Sequence, residues 1–367
     1  MEGISLSEQR ITKAMLKGRN AIVTGGFSGM GRAIARALAD AGVNVTVGSY
    51  VVADDVQVSD AAYYPQAEEI AAVRSDLDAR GVTARAAHLD VRDSSIVDKF
   101  VQEAEATVGP TDILVNAAGT TAEQPVCGHS DELWEKIIDT NLTGVFRTTR
   151  AVLPGMIKRR WGRIINVGST AATVGWKDNP AYCASKSGLL GLTRCVALEG
   201  ASHGVTCVML SPTWVETELM RRNIGQMLAR EGKGRTIEQG MAEIASGNPQ
   251  GRIIQPEEIA QLVLFLCGDA AKGITMENIQ KTVADYYKIK VAEMYSKKRS
   301  RNFARPRQIA MSLARELTNH SFPEIGEAFG SRHHTTVMHA CDEVEQLRQN
   351  DPNVARDIAF LVQVIRD

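Results

Sequence analysis

Six short runs rich in β-forming residues, each followed by a stretch of helical period, constrain this chain more than any other feature. The runs are "NAIVTGG", "VNVTVGSY", "ARAAHLDV", "DILVNAAG", "GRIINVGS" and "VTCVMLSP". Gly, Asn, Asp or Pro bound them, as they bound strands. Between them, segments such as "RAIARALADAG" repeat apolar residues at helical spacing. Alternation of β and α predicts a parallel sheet covered by helices on both faces. A further run, "ITMENIQ" (Ile274–Gln280), fits a last parallel strand.

The length of 367 residues allows two domains, since a domain takes about 100–200 residues. With 44% hydrophobic and 23% charged residues the chain reads as an ordinary globular protein. A formal net charge of −1 argues against a protein that coats nucleic acid along its whole length, although an average hides local basic segments. The start, "MEGISLSEQRITKAMLKGRN", has no apolar core or cleavage site of a secretory signal. Leu262–Cys267 is the longest apolar run, far short of the ~18 residues of a membrane span. The six cysteines form no C-x-x-C pair, so reduced thiols, a cytoplasmic location and no metal site are expected.

The first strand enters Thr24-Gly25-Gly26-Phe27-Ser28-Gly29-Met30-Gly31, followed by a helix. Glycines there allow a tight turn and let a helix N-terminus meet a pyrophosphate, the signature of a Rossmann-type doubly wound sheet. Further along, Tyr182 and Lys186 stand four apart in "AYCASK", on one helix face. Ser169 lies thirteen residues before Tyr182 at a strand end, and Asn141 lies in "DTNLTG".

Together these residues resemble the short-chain dehydrogenase/reductase family over residues 17 to 280. The glycine turn matches its TGxxxGxG, and Asn116-Ala117-Ala118-Gly119 matches its NNAG with one Asn replaced. Pro212 to Thr217 matches its PGxxxT, with Thr213 in place of Gly. The resemblance implies a catalytic tetrad of Asn141, Ser169, Tyr182 and Lys186. It implies an NAD(P)-dependent, 3-oxoacyl reductase-like oxidoreductase acting on a small-molecule carbonyl or alcohol. Ser169 would hold the substrate oxygen and Tyr182 would exchange its proton. Lys186 would lower the tyrosine pKa, and Asn141 would position the lysine through a water. The glycine turn would meet the dinucleotide through Gly25, Ser28, Gly29, Met30 and Gly31. The next strand ends would add Ser49, Tyr50, Asp90, Val91, Asn116, Ala117 and Gly119, with Tyr182, Lys186, Pro212 and Thr217 beyond them.

Cofactor choice stays open between NADP and NAD. An NAD-specific fold carries an acid about 20 residues past the glycines. Here Gly48-Ser49-Tyr50 stands at that place, Asp54 and Asp55 come slightly late, and no Arg replaces the acid. "TTAEQPVCGHS" and the segment Trp214 to Gln250 would line or cover the substrate pocket. Cys127 and Cys183 read as buried structural thiols, and Tyr63-Tyr64 as packing.

After Gln280 the composition changes. From Lys281 to Arg315 there are ten basic residues against two acidic ones, centred on "SKKRSRNFARPR". Then "SFPEIGEAFG" reads as a short helix with a Ser-Pro start and a Gly stop. "HHTTVMHACDEVEQL" places Val337, Cys341, Val344 and Leu347 at helical spacing. Two helices around a glycine turn predict a small all-α helix-turn-helix domain.

Residues 274–367 resemble the C-terminal DNA-binding domain of DnaA, the bacterial replication initiator. That resemblance implies origin-box binding on duplex DNA. Arg299 would enter the minor groove, and Pro323, His334 and Thr335 would touch bases in the major groove. Arg307, Gln308 and Thr336 would hold phosphates. The family has an Asp where this chain has His333, which should blur the preference for the family's box. No GxxxxGK(S/T) occurs, so the initiator's ATPase is absent.

The expected organisation is therefore a reductase domain over 1–273 and a DnaA-like domain over 274–367, with Ile274–Gln280 open to either the last reductase strand or the lead-in of the DnaA-like domain. A homo-oligomer through the reductase domain is left open, because the family's C-terminal tail is replaced. The rival reading is a DNA-binding protein whose Rossmann domain is inactive or only senses cofactor.

Overall fold

The computed structural model describes residues 16–52, 65, 67–268, 271, 276–296, 298, 300–318 and 320–366. Asp54, Asp55, Tyr63, Tyr64 and Arg299 lie outside them. The chain divides into two compact units, Met1–Ala271 and Lys272–Asp367.

In the first unit the six expected strands all form. They are β1 (Asn20–Thr24), β2 (Asn44–Ser49), β3 (Ala84–His88), β4 (Ile113–Asn116), β5 (Gly162–Val167) and β6 (Val205–Leu210). All pair in parallel, in the order β3-β2-β1-β4-β5-β6. Period-2 side-chain alternation splits each strand between two cores. Ala21, Val23, Ile113, Val115, Ile165 and Val167 face one side. There they meet α1 (Gly29–Asp40) and α9 (Pro256–Cys267) through Ile34, Leu38, Ile259 and Val263. Ile22, Leu114 and Ile164 face the other side, against α3 (Ser94–Val108), α5 (Gly144–Arg159) and α6 (Pro180–Ala201). The remaining helices are α2 (Ala67–Asp78), α4 (Asp131–Ile138), α7 (Glu218–Glu231) and α8 (Ile237–Gly247). Strand order reverses between β1 and β4, and such a switch point opens a crevice at the carboxyl ends of the strands.

Of the two readings of Ile274–Gln280, last strand or lead-in of the second domain, the described residues take the second. Ile274 and Thr275 lie outside the described residues, and Met276–Gln280 opens a helix, α10 (Met276–Tyr286). Ile279 and Val283, one helical turn apart, are buried with Ala284 in the core of the second unit. The Gln280 amide donates to Ala328 O at 2.7 Å and accepts from the Tyr295 hydroxyl at 2.8 Å. Helical period and these partners fix the segment, and among the described residues β6 is the sheet edge. Its burial is broken, whereas β5 is buried throughout.

The second unit is all helical. After α10 come α11 (Ala292–Tyr295), α12 (Arg301–Leu317), α13 (Phe322–Ala328), α14 (His334–Asn350) and α15 (Pro352–Arg366). Met294, Ile309, Leu313, Ile325, Phe329, Val337, Val344 and Ile358 pack at its centre. From Arg301 the basic run is the start of α12, which has no acidic residue in its first turn. Cations at a helix N-terminus oppose its dipole, so local helix stability does not account for them.

Among the described residues, no helix is long and apolar enough to cross a membrane, and no His/Cys/Asp/Glu cluster could hold a metal.

Candidate functional site

The crevice of the first unit begins at the glycine turn. Gly25 has φ 66°, and a Cβ there would come within 2.8 Å of the Ala118 backbone. At Gly31 a Cβ would stand 2.1 Å from the Gly25 carbonyl, so that position admits only hydrogen. Ser28 is the N-cap of α1 but makes no side-chain capping bond. Gly25, Ser28, Gly29, Met30 and Gly31 line the crevice. A bare helix N-terminus under glycines suits a pyrophosphate. Ser49 and Tyr50 from the end of β2, with Asp90 and Val91 after β3, form one wall, while Ala117, Gly119 and Thr217 close the other.

The structure adds a residue that spacing did not reveal. Arg92 lines the same wall, its guanidinium 5.1 Å from the Tyr50 ring centroid. It donates to both Asp90 oxygens, from Nε at 2.9 Å and from an Nη at 2.7 Å. Those bonds hold the half-buried Asp90 carboxyl below its usual range against the opposing effect of burial. The only cue in the sequence was its place two residues after Asp90.

Asn116, Tyr182, Lys186 and Pro212 do not line this wall. The buried Asn116 amide donates to Asn166 Oδ1 at 2.9 Å and accepts from the Thr148 hydroxyl at 2.7 Å, a polar link inside the sheet. The Pro212 carbonyl accepts from Thr170 N–H at 3.1 Å, beside the proposed tetrad.

The tetrad residues converge. Ser169 follows β5 and shares a hydrogen bond with the Tyr182 hydroxyl. Lys186 Nζ lies 5.6 Å from the Tyr182 ring centroid and donates to Val167 O at 2.7 Å. Asn141 sits fully buried in a π turn, Asp139–Thr143. Its amide brackets Thr120, accepting from the N–H at 2.8 Å and donating to the carbonyl at 2.9 Å. It also donates to Ser185 Oγ at 3.1 Å. A Cβ on Gly119 would stand 3.4 Å from Asn141 Oδ1 and 3.9 Å from Lys186 Nζ. Gly119 thus joins the tetrad to the crevice.

The electrostatics depart from expectation. Burial pulls the Lys186 ammonium down to about 8. Burial also pushes the Tyr182 phenol up, and the Ser169 hydrogen bond only partly opposes this. Desolvation therefore outweighs the hydrogen bond for the phenol. Cys127 is exposed, contrary to the buried thiol expected there, and Cys183 is half-buried with its sulfur accepting from Trp176 N–H at 3.3 Å.

In the second unit, Ser321 caps α13 in a reciprocal box with Glu324. Gly330 (φ 90°) and Ser331 (φ 52°) make the turn into α14. A Cβ on Gly326 would lie 2.1 Å from Arg332 O, so the helix and the turn pass in contact. Pro323, His333, His334, Thr335 and Thr336 are all exposed at the start of the two helices. The His333 and His334 rings stand 4.1 Å apart, and His333 Nδ1 is 2.9 Å from Thr335 Oγ1. Gln308 donates to Glu343. Arg307 is placed differently from the phosphate contact expected of it. It is buried, and its guanidinium donates to the carbonyls of Met294 (3.0 Å), Glu293 (2.6 Å) and Lys298 (3.1 Å). Its chemistry here is to clasp the backbone that leads into the basic run.

A dinucleotide crevice with a phenol and an amine at its edge equips the first unit for oxidoreduction. Residues 19–228 match the short chain dehydrogenase family model, and the chain belongs to that family. It is 35% identical to a D-beta-hydroxybutyrate dehydrogenase of Cupriavidus necator over 261 residues, 71% of this chain and 95% of the relative. A crystal structure of an actinorhodin polyketide ketoreductase variant with NADPH superposes with a TM-score of 0.62 at 33% identity, covering 69% of this chain and 92% of that one. Residues 276–344 match the bacterial dnaA protein helix-turn-helix model. The chromosomal replication initiator protein DnaA of Methylobacillus flagellatus is 75% identical over 124 residues, 34% of this chain. This chain spans only 26% of that relative's length. The protein thus joins a short-chain dehydrogenase domain to a DnaA-type helix-turn-helix domain.

Proposed function

We propose that the first unit interconverts a carbonyl and an alcohol with NAD(P), and that the second binds duplex DNA. The observation that carries the first part is the hydrogen-bonded Ser169–Tyr182 pair with Lys186 beneath it, joined to a glycine crevice. When bound, the nicotinamide supplies or accepts the hydride. Ser169 holds the substrate oxygen, Tyr182 gives it a proton or takes one, and Lys186 supports the phenol from the Val167 carbonyl. Gly25 to Gly31 and Thr217 seat the dinucleotide.

Titration with NADPH and then NADH, followed by nicotinamide fluorescence, tests this directly. Saturable binding is expected, with NADPH the tighter because Arg92 stands beside Ser49 and Tyr50 with no acid at that strand end. Arg92→Ala should weaken NADPH about tenfold, the worth of one charged hydrogen bond, and NADH by less. Equal losses would remove Arg92 from cofactor choice, and no binding of either dinucleotide would overturn the reductase reading.

For the second unit, exposed His334 and Thr335 at the start of α14 support base contacts, with His333 replacing a carboxylate. A carboxylate accepts from cytosine N4, and a lost base contact costs roughly 1–3 kcal/mol of discrimination. His333→Asp should therefore widen the affinity gap between an origin box and a scrambled duplex. An unchanged ratio in fluorescence anisotropy would refute that role.

A further inference from the structure

Two tryptophans, Trp176 in no named motif and Trp214 at a variable position of the Pro212–Thr217 match, stand in a row with Tyr182. The Trp176 and Trp214 rings stack with centroids 5.1 Å and planes 21° apart. Trp176 in turn lies 6.3 Å from the Tyr182 ring at 32°. Both indoles are half-buried, within the range at which aromatic rings attract one another.

Their backbones are fixed from several directions. The Trp176 carbonyl accepts from Asn179 N–H at 3.2 Å. Asp178, between them, takes the left-handed conformation (φ 60°), and its carbonyl accepts from Gln124 N–H at 2.7 Å. The Thr121 hydroxyl and buried Asn179 Oδ1 are 3.0 Å apart. The Trp214 carbonyl accepts from Ile254 N–H at 3.1 Å, beside the Val215–Ile254 bridge. Glu123, in the loop after β4, is paired with Arg230 of α7 at 3.1 Å. Val174, two residues before Trp176, is 58% exposed.

A pair of indoles serving only as core would be covered. These are held rigid and left half open beside the residue that handles the proton. We propose that Trp176 and Trp214 are a stacking platform for the substrate, and that the reacting carbonyl or alcohol is carried on a flat aromatic or conjugated ring. The inference rests on the oxidoreductase reading of Tyr182.

The full chain, saturated with NADP+, is titrated with 2-tetralone while tryptophan emission is followed. In parallel, kcat/KM with NADPH is measured for 2-tetralone and for 2-decanone, a straight-chain ketone of equal carbon number. Tetralone should quench the emission and be the better substrate. Trp176→Leu and Trp214→Leu should each abolish the quench. Each should lower kcat/KM for 2-tetralone about tenfold more than for 2-decanone, a size in keeping with one aromatic contact. Turnover of 2-decanone with no tetralone quench, or equal losses for both ketones, overturns the platform. A quench that both variants abolish, with neither ketone reduced, supports the platform and overturns the oxidoreductase reading instead.

Discussion

Tyr182→Phe is expected to lower turnover by about three orders of magnitude, within the ~10²–10⁴ that a positioned acid–base group contributes. The substitution removes one oxygen, and with it the hydrogen bond to Ser169. The neighbouring Trp176 still meets a ring of the same shape, and the glycine crevice does not include Tyr182. Cofactor affinity should therefore stay near that of the parent in the fluorescence titration. Turnover retained in Tyr182→Phe would remove this residue from the mechanism. The same site sets a pH dependence. The Lys186 amine is charged below about 8 and neutral above it. As pH rises through that value, the cation that favours the phenolate disappears, while protons for reduction become scarcer. Carbonyl reduction should thus decline on the alkaline side of about 8, and an unchanged rate there would contradict the lysine's role.

Gly326→Ala is the second large effect expected, and it falls on the other unit. The new Cβ would meet the Arg332 carbonyl oxygen at 2.1 Å, with Val337 close behind at 3.6 Å. A backbone oxygen cannot swing aside as a side chain can. That oxygen belongs to the turn that aims His334 and Thr335. Relief of the overlap requires α13 and α14 to part, at roughly 3 kcal/mol by comparison with overpacked cores. Duplex affinity should collapse in anisotropy measurements, together with loss of helical circular dichroism from this unit. Cofactor titration of the same variant is the internal control. Duplex binding that survives unchanged would show that the contact between α13 and the turn does not set the base-reading surface.

The two expectations differ in how visible their residues were beforehand. Tyr182, Lys186, Ser169 and Asn141 were readable because they match the motifs of a known family, and the structure places them near one another. Gly326 was not, because nothing in "FPEIGEAFG" says that Arg332 turns back onto it. Arg307 shows the same limit. A basic residue in a basic run reads as a phosphate contact, but its guanidinium is enclosed by the carbonyls of Glu293, Met294 and Lys298.

"ITMENIQ" is the clearest case of two patterns competing for one segment. Its residues satisfy a strand alternation as well as a helical one. Ile279 and Val283 find buried partners only on the helical spacing, among Phe329, Ile309 and Ile358. The pattern within a short segment cannot choose between two folds that both accept it. Partners far away in the chain make the choice.

Family resemblance singled out the tetrad residues, and the amino-acid order alone was enough to set the six strands, the glycine turn and the helix-turn-helix. Each of these depends on local period or on short spacings that the backbone geometry imposes. Tertiary structure alone decided the fate of Met276–Gln280, the place of Arg92 against Tyr50, the enclosure of Arg307 and the rise of the Tyr182 pKa. The reason is common to all four. Burial and partnership are properties of space, and desolvation acts on a group only once the rest of the chain has closed around it.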